Sequence, residues 1–158
     1  MMRVSGLFAG LALFAACAGT PAPSKDLFPE LPEAEIHAVT ASGTHRFTVW
    51  IAADERSRQQ GLMFVRALPP DRGMLFFFDR PQEAAFWMKD TYLSLDLVFI
   101  EPTGRVATIA RGARPFSLDP IASDGPVIAV LELLSGTASR IRLAPGDRIL
   151  HPDFEARP

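Results

Sequence analysis

The chain has 158 residues, a formal net charge of −2, 48% hydrophobic residues and 22% charged ones. This is enough for one domain and not comfortably for two. No basic stripe points to nucleic acid, and the single cysteine, Cys17, excludes an intrachain disulfide.

The first segment, "MMRVSGLFAGLALFAAC", places Arg3 before an apolar run over residues 4–16. That run has the length of a signal-peptide core and is short for a membrane span. Its end, Phe14-Ala15-Ala16-Cys17, resembles a bacterial lipobox, with Phe14 where Leu is usual. The expectation is a lipoprotein signal peptide over 1–16 and a lipidated Cys17 that anchors the chain to a membrane. Ala18 follows the cysteine where an aspartate would retain the chain at the inner membrane. The expected location is therefore the periplasmic face of the bacterial envelope, as an outer-membrane lipoprotein. A soluble periplasmic protein cut near Ala16 or Ala18 is the alternative, and an unprocessed apolar tail is a third.

Residues 17–35 carry four prolines and little periodicity, as in an extended tether. A single domain is expected over 36–158. "HRFTVWIA" at 45–52 alternates like a strand. Asp54 reads as the N-cap of a short helix ended by Gly61, and "LPPDRG" at 68–73 as a turn. Strands are expected over 74–78, 83–89 and 95–100. "EPTG" at 101–104 then turns the chain into a hairpin strand over 105–110. Residues 111–126 form a long loop before a strand at 127–134, and 143–150 make a turn and a short last strand. The fold class is mainly β, a compact sandwich- or barrel-like domain with one or two short helices.

Two of these strands carry charges among apolar residues. Strand side chains alternate between faces. Asp96 shares a face with Val98 and Ile100, and Glu132 shares one with Ile128, Val130 and Leu134. Lys89 follows Phe86, Trp87 and Met88, and it is the one lysine beyond residue 35. Buried charges need partners, so Lys89 is expected to meet Asp96, Glu132 or both. Either the set is a structural ion pair, or it floors a pocket with Trp87 as an apolar wall.

No phosphate-binding loop, dinucleotide glycine fingerprint or serine elbow occurs. His37, His45 and His151 lack metal spacing and read as surface or terminal residues. Met63, Met74 and Met88 fit core packing better than a soft-metal site. A glycosidase-like pair of Asp96 and Glu132 would need a defined carboxylate separation, which sequence does not supply. No metal, cofactor or nucleic-acid partner is expected.

"GLMFVRALPPDRGMLFFF", "FWMKDTYLSLDLVFIEPTGRVATI", "VLELLSG" and "GDRI" together resemble the family known as domain of unknown function 192. The matching positions are Gly61, Leu62, Met63 and Arg66; Gly73 to Phe76; Phe86 to Thr91 with Asp96; Glu132 and Gly136; Gly146 and Asp147. They span roughly residues 45–151. Asp90 stands where Asn is usual, and Ser94 where Pro is. The resemblance implies a compact β-rich domain, commonly exported and often lipid-anchored, and implies no activity. It strengthens the grouping of Trp87, Lys89, Asp96 and Glu132; with Arg66 of the first motif these are the candidate binding residues, and no catalytic residue is assigned. The leading expectation is an envelope-anchored domain that binds a small molecule, a glycan or an envelope protein. A small hydrolase or lyase with Asp96 or Glu132 as general base is the rival, and a purely structural lipoprotein the third reading.

Overall fold

The structure, a computed structural model, describes residue 28 and residues 30–155. The expected signal peptide, the expected lipidation at Cys17 and most of the expected tether lie outside these residues. The chain opens with a hairpin of β1 (Glu33–Thr40) and β2 (Gly43–Ala52). Helix α1 (Glu55–Gln60) follows, capped as expected. Asp54 accepts from the Ser57 N–H at 2.9 Å, and the Ser57 hydroxyl accepts from the Asp54 N–H.

Then come β3 (Arg72–Gln82), β4 (Ala85–Phe86), β5 (Leu95–Ile100), β6 (Val106–Ala113), β7 (Ile121–Ala122) and β8 (Val127–Leu134). Helix α2 (Thr137–Arg140), β9 (Arg148–Leu150) and helix α3 (Pro152–Glu155) complete the described chain.

Seven strands form one sheet in the order β6-β5-β8-β3-β2-β1-β9, and β4 pairs with β7 apart from it. Among the described strands, only β2 and β3 run parallel. A parallel neighbour cannot follow a tight turn. Helix α1 and residues 61–71 make the crossover, and this crossover covers one face of the sheet.

The sheet curls until its edges meet. Arg105 bridges Arg148, and the Val106 and Ile149 N–H groups donate to the Asp147 and Gly104 carbonyls at 2.8 Å. The domain is thus mainly β and barrel-like, with three short helices among the described residues. Two of these, α2 and α3, have four residues each and leave no readable helical period.

Three local expectations change. The strand expected at 83–89 shrinks to β4, and the chain leaves it through Trp87 to Asp90, where Asp90 takes a left-handed φ of 52°. The long loop at 111–126 gives its first residues to β6 and contains β7. The folded unit reaches into the expected tether. β1 begins at Glu33, the Pro32 carbonyl accepts from Ile51, and buried Phe28 meets the Trp50 ring edge-on at 5.2 Å. An apolar surface at Trp50 draws the chain in.

Both faces of the sheet are covered. Val98, Ile100, Leu131, Leu133, Val106 and Ile149 belong to the core inside the curl, with α2 and α3 supplying Ala138 and Phe154. Leu95, Leu97, Phe99, Met74, Phe76 and Val130 belong to the core outside it, under Leu62, Val65 and Met88. His151 is buried against the Phe77 and Phe154 rings rather than on the surface, and burial lowers its proton affinity.

At Gly73, β3 and β8 leave no room for a side chain. A β-carbon there would press on the Glu132 carbonyl and lie 2.8 Å from Leu133 Cδ2. Gly73→Ala is expected to cost about 1–3 kcal/mol, since a packed sheet core cannot move aside. Urea denaturation measures this. An unchanged midpoint would show that the two strands can part.

Candidate functional site

Register decides where the embedded charges go. Asp96 lies opposite Leu133, and Glu132 lies opposite Leu97. The two carboxylates therefore project from opposite faces of the sheet. Asp96, 1% exposed, faces the inner core. It accepts from the Gly112 N–H of β6 and the Ala138 N–H of α2, each at 2.9 Å. Its hydrogen bonds brace two elements, and it lines no cavity with the other candidates.

Among the described residues, no ion pair joins Lys89 to Asp96 or Glu132. The expected ion pair is overturned because Lys89 stands on the exposed turn after β4, not on a strand face. Its Nζ lies 5.9 Å from the centroid of Trp87, which is itself exposed.

Glu132 has the opposite surroundings to Asp96. It is 5% exposed and sits under an open cavity of 620 Å³ on the outer face. The crossover builds one wall of this cavity from Arg58, Gln59, Gln60, Leu62 and Met63. Strand β3 adds Phe76 and Phe78, and the segment around β4 adds Phe86, Trp87 and Lys89. The Phe86 ring meets Phe76 edge-on at 5.0 Å, which fixes the apolar lining beside the carboxyl.

The Glu132 side chain has no hydrogen bond to any described residue. Burial alone pushes its carboxyl up to about 8. Its protonated form is thereby favoured, and in that form it offers one O–H donor and a carbonyl acceptor to the cavity.

So the structure brings Trp87, Lys89 and Glu132 to one cavity and sends Asp96 elsewhere. Arg66 does not line it either, because its guanidinium stacks on the Tyr92 ring at 4.3 Å. Sequence reading missed Phe76, Phe78, Phe86 and the amide side chains Gln59, Gln60 and Gln82. The polar helix "ERSRQQ" beside Gly61 was visible, but its placement over Glu132 follows from the parallel crossover.

These features define a small β-rich domain with a cavity over a largely buried carboxyl of raised proton affinity. The chain belongs to the family DUF192, described as an uncharacterized ACR, whose model matches residues 37–151. A crystal structure of a candidate transcription regulator from Sinorhizobium meliloti 1021 is 44% identical, with a TM-score of 0.76. That match covers 78% of this chain and 96% of the other. A protein of unknown function from Novosphingobium aromaticivorans DSM 12444 is 32% identical, with a TM-score of 0.75, covering 90% of this chain and 100% of that one. No curated protein is significantly similar to the chain.

Proposed function

We propose that the domain binds a small polar molecule in the cavity over Glu132, and that the N-terminal export signal places this activity at the bacterial envelope. One observation carries the reading. Glu132 is largely buried, its proton affinity is raised by that burial, and its carboxyl opens on the floor of a cavity large enough for a small molecule. A ligand hydroxyl, amide or carbonyl that enters the cavity would meet this carboxyl with a complementary hydrogen-bonding group. Phe86 and Trp87 offer apolar faces, as a sugar ring or aromatic ligand requires.

The hydrolase reading survives in one form. A carboxyl that titrates near 8 suits a general acid or base, and Glu132 alone now fills that role, since Asp96 lies on the other face. The Sinorhizobium relative's description does not transfer well to this cavity. Arg58 and Lys89 are interleaved there with Glu55 and Glu83, which disfavours phosphate backbones.

The test is ligand retention. Protein purified from its native host is screened by native mass spectrometry for co-purifying small molecules, then by thermal shift against metabolites and glycans. Glu132→Leu is expected to fold and to lose the ligand. Glu132→Gln keeps the shape and part of the hydrogen bonding, and should weaken binding about tenfold. A folded Glu132→Leu protein that binds as wild type overturns the proposal, as does silence across the whole panel.

A further inference from the structure

A second surface lies beside the cavity mouth. Phe64, Trp87, Phe116 and Leu118 are each more than half exposed, and Tyr92 is partly so. They come from three separate segments held together by backbone hydrogen bonds. The Phe64 N–H donates to the Asp90 carbonyl, Phe116 to Thr91, and Met88 to Ser117. Tyr92 and Phe116 meet edge-on at 5.0 Å. Among the described residues, the only other exposed large hydrophobic side chain is Val39.

The backbone is unusual here too. Phe64, Asp90 and Phe116 take left-handed φ values of 66°, 52° and 61°. Glycine or asparagine adopts that conformation at far lower cost than a bulky residue. Two phenylalanines held there and turned to solvent gain nothing from the core, which points to an external partner.

Cations frame the patch. Arg66 stacks on Tyr92, Lys89 lies by Trp87, and Arg114 is well exposed, 4.0 Å from Asp119. Protruding aromatic and leucine side chains flanked by guanidinium and ammonium groups match a bilayer interface with anionic headgroups.

The chain outside the described residues supports the same occupant. Phe28 lies eleven residues after Cys17, a reach of roughly 40 Å at most. Phe28 lies by α1, whose Gln60 also lines the cavity. The described chain thus begins beside α1, which helps to line the cavity that Trp87 also lines.

We propose that this aromatic and cationic patch docks the folded domain directly on an anionic lipid surface, independently of any acyl anchor. The test uses residues 18–158, which retain every residue of both cores, with neither signal peptide nor Cys17. Co-sedimentation is measured with phosphatidylcholine vesicles, with and without phosphatidylglycerol. Binding is expected to the anionic vesicles and to weaken with salt. Phe64→Asn and Phe116→Asn keep the left-handed backbone, and each should weaken binding about tenfold. Glu132→Gln should leave vesicle binding unchanged, so failure of the cavity reading and failure of this one are distinguishable.

No binding to either vesicle overturns the proposal. So does binding that the asparagine variants do not alter. Self-association of residues 18–158 that Phe64→Asn abolishes would also overturn it, in favour of a second copy on the patch.

Discussion

Glu132→Gln is expected to flatten much of the pH dependence of this domain's stability. In the folded chain the Glu132 carboxyl holds its proton up to about pH 8, whereas its ordinary value is 4.5. Between these values the folded state binds more protons than the unfolded one, so stability falls as pH rises. The stabilisation is complete below about pH 4.5, declines through neutrality, and levels off above about pH 8. The raised proton affinity corresponds to a loss on the order of 4–5 kcal/mol across that window. Glutamine has the shape of the protonated acid and cannot ionise. The variant should match wild type within about 1 kcal/mol at pH 5 and exceed it by about 4 kcal/mol at pH 9.

Two other groups titrate in the opposite sense. Asp54 is held low by its cap hydrogen bonds to Ser57, and His151 is held low by burial. Their contributions are lost as pH falls, and they cancel between wild type and variant. Urea denaturation across this pH range gives the difference curve. Parallel curves would mean that Glu132 ionises freely and that its burial costs nothing.

Asp96 carries the second large effect. Its two carboxylate oxygens accept from N–H groups in different elements, one at the end of β6 and one at the start of α2. Asp96→Ala leaves both donors buried or forces them open, at about 3–5 kcal/mol. Asp96→Asn keeps one acceptor but turns an NH2 group toward the other donor, at about 2 kcal/mol. Hydrogen exchange should localise the damage to residues 112 and 138. If Asp96→Asn unfolds no more easily than wild type, the brace is not what holds α2.

Strands β5 and β8 begin and end where their apolar runs do, because the flanking Ser94, "EPTG", Pro126 and Ser135 end each run. The Asp54–Ser57 cap was readable because both partners lie within one helical turn. Lys89 was misplaced because Phe86-Trp87-Met88 looks like a strand in any window. In the fold Met88 turns into the core while Trp87 and Lys89 stay outside. The left-handed turn at Asp90 is held by the Phe64 N–H donating to the Asp90 carbonyl and the Phe116 N–H donating to the Thr91 carbonyl, and both donors come from elsewhere in the chain.

By itself the sequence determined the β class, the positions of the main strands, and the two strand carboxylates among apolar neighbours. Those features follow from side-chain alternation and turn chemistry, which act over a few residues. Only the tertiary structure decided what the carboxylates do. β5 and β8 pair with Leu97 opposite Glu132, so Asp96 turns inward to waiting N–H donors and Glu132 turns outward beneath the crossover. A register shift of one residue would reverse a strand's faces, and register is set by long-range hydrogen bonding and packing that no local pattern records.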